Sequence, residues 1–600
     1  MTIVNVEHKY LTNMRYYDKI EEFSDLYKRS KANKNFHKLY ERIIDEKNIL
    51  LAYRCIRTNR GSKTKGCDNL DISFFEKMTL DEVVTFVRKY LGNYQPRKVR
   101  RVFIPKKNGE KRPLGIPSIK DRLIQQCIRQ VLEPICEAKF YDHSYGFRPH
   151  RSTHYALGRN LNLINHAKLY YIVDIDIKGF FDNVNHKKLL QQIYTMGIKD
   201  KIVLKIISKM LKAEIDGEGI PNKGVPQGGI LSPLLSNIVL NELDWWIASQ
   251  WDTFPSKFPY VNKVGKHEVL KKASNLKEIR ITRYADDFQI YCRTKSSAEK
   301  IKIAVTKWLK ERLKLEVNED KSSIINLKNR NVDYLGFKIR LREKGNKKTH
   351  STEISNSNEI KLYVILREQI KNLIKNPSIQ SALKYNQTIV GTHNYFKYAS
   401  QVAINLNKIN WWLYFQLVKL EKKRGKPNTK LNNFYNRTYG KYKTFSINGV
   451  DLIPIHGINH VYAKPINQNL CLYTETGRIL VGKANLDLSE LINEFINRRS
   501  NYYSLEMINF GASLINAQKG RCRISSLPLE YDFEIHHVKP KEFGGTDEYK
   551  NLIAINPRFH KLIHYSVSKT INNNLDFLAL EHIEKINHYR KLANRTIIEL

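Results

Sequence analysis

Two small sets of residues carry chemistry by type and spacing. Asp174 and Asp176 alternate with Val173, Ile175 and Ile177 in 171-YIVDIDI-177, and Asp286 and Asp287 stand side by side in 281-ITRYADDFQIY-291. Period two puts the first two acids on one face of a strand. Around the second pair the alternation of Ile279, Ile281 and Arg283 and then of Phe288, Ile290 and Cys292 predicts a hairpin, with the carboxylates at or near its turn. A bare Asp-Asp pair is ordinarily a solvated turn. A carboxylate at a strand end, opposite a hairpin carrying two more, can instead hold two divalent ions. Such ions sit about 3.5–4 Å apart, one activating an attacking oxygen and one steadying the leaving group. Hard oxygen donors suit Mg²⁺, which draws its remaining ligands from water and substrate phosphates.

The second set lies in 535-IHHVKPKEFGGTDEYKNLIAINPRFHKLIH-564. His560 and His564 are one helical turn apart, so both imidazoles can face one ion. His536 can complete a three-nitrogen set with an open position for phosphate. His537 points away from it, as strand neighbours do, and is free to act as general base on a water. Asn551 is expected to orient His537 by a hydrogen bond.

The rest of the chain must position these groups and bind their substrate. It has 600 residues, 102 Lys and Arg against 59 Asp and Glu, a formal charge of +43 and a pI near 9.7. That charge repels itself unless a polyanion screens it, which makes nucleic acid the first candidate partner and an anionic membrane the second. The lysines are spread along the chain rather than gathered on one amphipathic helix, which favours nucleic acid. No apolar run is long enough to span a bilayer and the start lacks a signal-peptide core, so no membrane partner is expected. With 42% hydrophobic residues the chain can build packed cores, and its length predicts several domains. Its seven cysteines are widely spaced and form no CxxC pair, as in a reduced intracellular protein.

Residues 1–95 read as helical and basic. A Lys-Asn-Gly turn inside 98–126 predicts a hairpin leading into a helix from Asp121. A strand is expected at 169–177, a helix from Lys187, a glycine turn at 224 opening an amphipathic helix to 246, and a further strand at 332–341. Around 346–358 the polar run NKKTHSTEISNSN predicts a linker or boundary. Beyond it Leu362, Leu366, Ile370 and Leu373 share a helix face, as do Tyr395, Tyr398, Val402 and Leu406. Residues 431–500 give weaker signals.

In this order the motifs resemble reverse transcriptases, most closely the proteins encoded by group II introns. The stretch 174-DIDIKGFFDNVNH-186 is similar to their first palm motif, 226-PQGGILSPLLSN-237 to the nucleotide-binding motif, and Tyr284-Ala285-Asp286-Asp287 to the YxDD box. Lys321 in 315-LEVNEDKS-322, the primer grip at 333-DYLGF-337 and the fingers at 105-PKKNGEKRPLGIPSIKDR-122 follow the same pattern, so the resemblance runs from about residue 60 to 420. It implies that Asp176, Asp286 and Asp287 bind two Mg²⁺ ions. Lys106 and Arg112 would reach the triphosphate, with Lys107 able to replace Lys106. Gln227 would meet the incoming nucleotide, Phe181 would exclude a ribose 2′-OH, and Lys321 would protonate or neutralise pyrophosphate. The C-terminal segment resembles HNH (ββα-metal) nucleases. There His536, His560 and His564 would bind Mg²⁺ or another divalent ion, with His537 and Asn551 catalytic. Cys522 lacks a partner, with Ser525 in its place, and Phe559 stands where a Cys often sits, so a structural zinc is not expected.

The resemblance thus implies an α+β multidomain chain: a right-hand polymerase with an antiparallel sheet, a helical thumb and a small ββα-metal domain. The expected divisions are a basic extension and the start of the fingers at 1–95, fingers and palm at 96–345, thumb or maturase region at 355–425, a DNA-binding region at 430–500 and the nuclease at 501–600. Its partners would be group II intron RNA, target DNA and dNTPs, in an intracellular ribonucleoprotein of a bacterial cytoplasm or an organelle, with a homodimer allowed. The alternatives are a reverse transcriptase of a defence or diversification system, and a splicing cofactor without catalysis. The nuclease-like tail argues against the first and the intact acids against the second.

Overall fold

Around the Lys-Asn-Gly turn, strands β1 (Arg100–Pro105) and β2 (Lys111–Ile116) pair antiparallel with Val102 opposite Leu114. The computed structural model describes residues 10–424, 442–481, 511–564 and 580–598, apart from 12, 15–16, 58, 60, 106–108, 110, 257, 261, 346, 443–445, 449, 512, 516, 519, 527–528 and 530–532. Lys106, Lys107 and part of the 430–500 stretch therefore lie outside the described residues. The chain divides into two units, one of Met1–Phe140, Phe181–Ile238 and Gln468–Leu600, the other of Tyr141–Phe180 and Val239–Asn467.

In the first unit a buried helix, Ile119–Glu137, follows β2. Ser118 caps it by accepting from Asp121 N at 3.1 Å, and the buried Asp121 carboxylate accepts from Tyr94 Oη at 2.9 Å and Arg97 N at 3.0 Å. The helices Ile20–Lys31 and Glu46–Arg57 pack on it. Sequence-distant residues close over these N-terminal helices. The Tyr473 ring stacks on Tyr27 at 6.0 Å, Arg478 donates to Ser24 Oγ at 2.7 Å, and Arg54 donates to Ser513 Oγ at 3.3 Å.

In the second unit β3 (Tyr171–Ile175), β4 (Ile279–Tyr284), β5 (Asp287–Cys292) and β6 (Ser323–Asn326) form an antiparallel sheet of order β4-β5-β3-β6. The helix Lys295–Trp308 packs on β3 and β5. A second sheet joins β7 (Val332–Tyr334), β8 (Phe337–Lys344) and β9 (Lys347–Ile354). The strand expected over 332–341 is thus broken by a turn at Leu335–Gly336, both with positive φ. The expected linker at 346–358 is corrected more sharply. Most of it is β9, paired along its whole length with β8, and the rest opens the helix Asn356–Lys375. Its polar composition hid the strand, because Ser351 and Thr352 are buried with Ile354 although none of the first five residues is apolar. Leu362, Leu366, Ile370 and Leu373 form the buried stripe of the following helix. A two-residue ladder pairs β10 (Ser446–Ile447) with β11 (Val450–Asp451).

Back in the first unit, β12 (Glu534–His537) pairs antiparallel with β13 (Leu552–Ile555), and the helix Pro557–His564 follows, giving a ββα order. All seven cysteines are free. Among the described residues no helix is long and apolar enough to cross a membrane.

Candidate active sites

The sheet of the second unit decides where the carboxylates go. β3 runs antiparallel to β5 with Asp174 opposite Gln289 and Ile175 opposite Phe288. The ladder ends there, and Asp176 and Asp287 are the residues that flank its last pair, close enough for the Asp176 charge to act on Asp287. Asp176 is held just past β3 by its backbone: its N–H donates to Ser322 Oγ at 3.0 Å, and its carbonyl accepts from Asn318 N at 2.8 Å. Across the hairpin Tyr284 pairs with Asp287, leaving Ala285 and Asp286 as the turn. Ala285 has φ +58°, and a Cβ on Gly146 would lie 2.2 Å from Ala285 N, so the turn rests directly on the Gly146 backbone.

An ion pair fixes the same turn from below. Arg283 and Asp244 are 1% and 0% exposed. Arg283 Nε and Nη2 donate to the Asp244 carboxylate at 2.8 and 2.6 Å, and Nη1 donates to the Ala285 carbonyl at 2.8 Å. Removing one partner of such a pair costs about 3–5 kcal/mol, because the other charge is left buried alone. The guanidinium fork thus ties the helix Ser232–Ser249 to the acidic turn.

The acids oppose one another. Asp287 reaches solvent, but the walls around it desolvate the charged form. With the charges of Asp174, Asp286 and Asp176 added, its carboxyl is pushed up to about 7. Burial, and then Asp176 and Asp333, raise Asp174 to about 6, against a hydrogen bond from Gln289. Hard oxygen donors that resist joint ionisation fit divalent cations, whose charge would remove that repulsion.

The expected nucleotide-binding residues divide between the units. In the first, a Cβ on Gly228 would lie 2.1 Å from Gly115 O, so the Pro226-Gln227-Gly228 turn is pressed against β2, the strand that carries exposed Arg112. Gln125 Oε1 accepts from Ile230 N at 2.8 Å, and the Phe181 carbonyl accepts from Val225 N at 2.7 Å. Arg112, Gln227 and Phe181 therefore sit on three interlocked pieces of backbone. Lys321 belongs to the second unit, exposed in the turn before β6 and next to the Ser322 that holds Asp176.

The ββα segment gathers the histidines. The ligand nitrogens of His536, His560 and His564 all lie within 4.8 Å of one another. His536 is 2% exposed, its Nδ1 is 3.2 Å from His564 Nε2, and its buried Nε2 has no hydrogen-bond partner. Burial, then the neighbouring imidazoles, push His536 down to about 3 and lower His564, which leaves both neutral and able to bind a metal. His560 Nδ1 is bonded to the Glu534 carboxylate, which frees Nε2. The donor set and the orphaned nitrogen fit a divalent ion.

His537 stands apart from the three, and its Nε2 is 2.6 Å from Asp547 Oδ1, whose other oxygen accepts from Lys541 Nζ at 2.8 Å. Asp547 thus takes the place expected of Asn551. The Asn551 amide donates to Lys539 O at 2.9 Å and Thr546 O at 2.8 Å and accepts from Lys539 N at 2.8 Å, so it braces the loop rather than His537. Sequence reasoning also missed Glu534, Asp244 and Arg283. Asp547 and Glu534 lie within the quoted region or one residue before it, whereas no sequence spacing links Asp244 to Arg283.

Comparison with known proteins finds two domains. Residues 104–339 match the family model "Reverse transcriptase (RNA-dependent DNA polymerase)", and residues 520–566 match "HNH endonuclease". The chain is 31% identical over 445 residues to the group II intron-encoded protein LtrA of Lactococcus lactis subsp. cremoris, covering 63% of this chain and 73% of LtrA. The chain belongs to the group II intron-encoded proteins. Protein YkfC of Escherichia coli (strain K12) is 33% identical over 303 residues, 48% of this chain and 79% of YkfC. The mitochondrial nuclear intron maturase 2 of Arabidopsis thaliana is 27% identical over 183 residues, 23% of this chain and 24% of that protein. This group II intron-encoded protein is a multifunctional reverse transcriptase, maturase and endonuclease, joining an RNA-directed DNA polymerase domain to an HNH domain, both of kinds that use divalent metal.

Proposed function

We propose that the chain acts in intron mobility by target-primed reverse transcription, as a right-hand polymerase joined to a nicking nuclease. Residues 96–345 supply fingers and palm, 355–425 the thumb and maturase surface, 430–500 contacts to target DNA, and 501–600 the nuclease. In the palm, Asp176, Asp286 and Asp287 hold divalent ions, Mg²⁺ by donor hardness. When bound, these ions supply charge for the triphosphate and a more acidic primer 3′-OH. Tyr284 supports the primer end, Gln227 and Phe181 border the incoming dNTP, Arg112 with Lys106 meets its phosphates, and Lys321 faces the leaving pyrophosphate. In the nuclease, His536, His560 and His564 hold a divalent ion, which when bound polarises the scissile phosphate. His537, steadied by Asp547, takes the proton from the attacking water, while Asn551 keeps the loop between them in place.

The observation that carries this reading is that Asp176 and Asp287 flank the last β3–β5 pair, Ile175 opposite Phe288, in a chain that also holds a three-histidine cluster. The nick made by the second centre is the primer end that the first requires. The charge of +43 supports a large RNA surface and an intracellular ribonucleoprotein. The test is to sequence the RNA that copurifies with the protein and supply the complex with target DNA and dNTPs. Group II intron RNA is expected in the complex, with cDNA joined to the nicked strand. Random cellular RNA with no joined cDNA would overturn the proposal.

A further inference from the structure

The turn that breaks the strand expected at 332–341 is held in an unfavourable shape. β7 and β8 close as a two-residue hairpin, with Tyr334 opposite Phe337 and Leu335 and Gly336 between them. Leu335 has φ +49° and Gly336 +83°. Two positive φ values in a two-residue loop are the type I′ pattern, which Asn-Gly adopts readily. Leucine does not, because its Cβ crowds the following carbonyl in that region. A bulky apolar residue stays there only where its surroundings hold it.

Those surroundings come from later in the chain. Ser355 N donates to the Gly336 carbonyl at 3.0 Å, and Asn358 Nδ2 donates to it at 3.4 Å. Tyr395, the second last residue of the helix Ile379–Phe396, donates from Oη to the Leu335 carbonyl at 2.8 Å. The Tyr395 ring stacks on Phe337 at 5.5 Å, and His154 Nε2 donates to the Tyr395 carbonyl at 2.8 Å. The hydroxyl is thus fixed through its ring and its backbone, and it ends on the one strained residue of the turn.

The turn also borders the acids. Tyr334 is 1% exposed, and burial, then the Asp287 charge, push its phenol well up. Burial raises the Tyr395 phenol, a hydrogen bond with Thr153 opposes that, and Tyr284 adds to it. One arm of the hairpin therefore lies within electrostatic reach of Asp287, and Tyr395 within reach of the tyrosine that opens the acidic turn.

We propose that Tyr395 is a positioning residue for nucleotide addition: its hydroxyl holds the Leu335–Gly336 turn in place, and the turn sets the primer 3′ end against the acids. The proposal rests on reading 333–337 as the primer grip, and adds the side chain that fixes it. Affinity for a primer–template is spread over many phosphates, whereas its 3′ oxygen must meet one site. A small displacement of that oxygen therefore costs rate rather than affinity.

The test uses the full-length protein on a DNA primer annealed to an RNA template. Tyr395→Phe keeps the ring and its stack on Phe337 and removes the bond to Leu335. It should lower kcat for extension about tenfold and leave the melting temperature unchanged. The Kd for primer–template should change by less than about twofold. The deciding arm is the same change in a Leu335→Asn chain. Asn takes positive φ at little cost, so the turn should keep its shape without the bond. Tyr395→Phe should then cost less than about threefold. An equal cost in both chains overturns the proposal. Weaker primer–template binding at normal kcat overturns it too, as does a loss that only follows a lower melting temperature. An equal loss in Thr153→Val would assign the effect to that other bond and overturn it as well. Gly336→Ala tests the reading beneath, since a Cβ there would lie 2.5 Å from Asn358 Nδ2 at φ +83°. If Gly336→Ala lowers kcat and Tyr395→Phe does not, the primer grip stands and only the Tyr395 assignment fails. If neither change lowers kcat, both fail.

Discussion

The acidic turn of the second unit and the histidine cluster of the first are both built for cations, by opposite electrostatics. Asp287 and Asp174 are raised, to about 7 and about 6, because burial, and then the neighbouring carboxylates, disfavour their ionisation. His536 is lowered, to about 3, because burial and its neighbours keep it uncharged. The oxygen centre stores repulsion that a cation relieves. His536 and His564 are held in the neutral, ligating form. Rigidity is supplied differently too, by a buried ion pair under the turn in one case and by carboxylates on the outer imidazole nitrogens in the other. Two centres built this way should be separable by mutation, by metal and by pH.

The strongest separation should come from removing one ligand. Asp287→Ala is expected to slow primer extension by about 10³-fold or more, the loss of several kcal/mol of metal-borne stabilisation, while intron RNA binding and splicing assistance persist. Extension by that variant at a normal rate would break the comparison at its first term. His537→Ala should reduce nicking by about 10²-fold or more and leave cDNA synthesis from a pre-nicked primer intact, as read on gels that resolve both products. Next in size is the support under the turn. Arg283→Lys keeps the charge but loses the fork to Asp244 and the bond to Ala285, so kcat should fall about 10- to 100-fold with a higher Mg²⁺ requirement. An unchanged kcat and Mg²⁺ titration in a folded variant would show that the pair serves folding alone. Asp547→Asn should cost nicking about tenfold and spare Mn²⁺ binding at the three histidines, a contrast with His560→Ala that isothermal titration can read.

The smallest effect is on pH. Asp287 and Asp174 are raised from an ordinary 3.8, so the metal-free fold keeps their protons where the unfolded chain has lost them. Their contribution to stability is complete below about pH 4 and lost by about pH 7. A cation that needs Asp287 ionised should bind a few-fold tighter as the pH rises through about 6 to 8. His536 is depressed from 6.5, so its contribution is present above that value and fades as the pH falls toward 3. Mn²⁺ isotherms for His536→Ala and Asp287→Ala, each reporting the surviving centre, should therefore be steep for the oxygen centre and flat for the nitrogen centre across neutral pH. Equal slopes would remove the distinction.

Much of this was legible in the sequence because it rests on short periods. Two residues per strand repeat and four per helical turn were enough to anticipate the β4–β5 hairpin, the acids beside it and the His560–His564 face. What escaped depends on where the backbone goes between elements. Arg283 sits in a strand alternation where a cation reads as outward-facing, and its partner is 39 residues away on a helix. Asn551 and Asp547 are both polar residues of one loop, and only the course of that loop decides which one reaches His537. The strand β9 was hidden by composition, since its buried Thr352 is held by hydrogen bonds rather than marked by apolar character. Thr352 Oγ1 accepts from Ser400 N at 2.8 Å, and Ser400 Oγ accepts from Thr352 N at 2.9 Å.

The first unit is assembled from three separate lengths of chain, and Tyr473, Arg478 and Ser513 close over helices that were made at its beginning. On a ribosome, residues 141–180 and 239–467 are all present before Gln468 emerges. The unit bearing the acidic turn can thus be complete while the other still waits for its last segment. The nuclease is then the last activity to be armed during synthesis. A chain cut back at residue 467 to remove it would also uncover the N-terminal helices. A nicking-deficient but otherwise intact protein is better made by one substitution at His537 than by truncation.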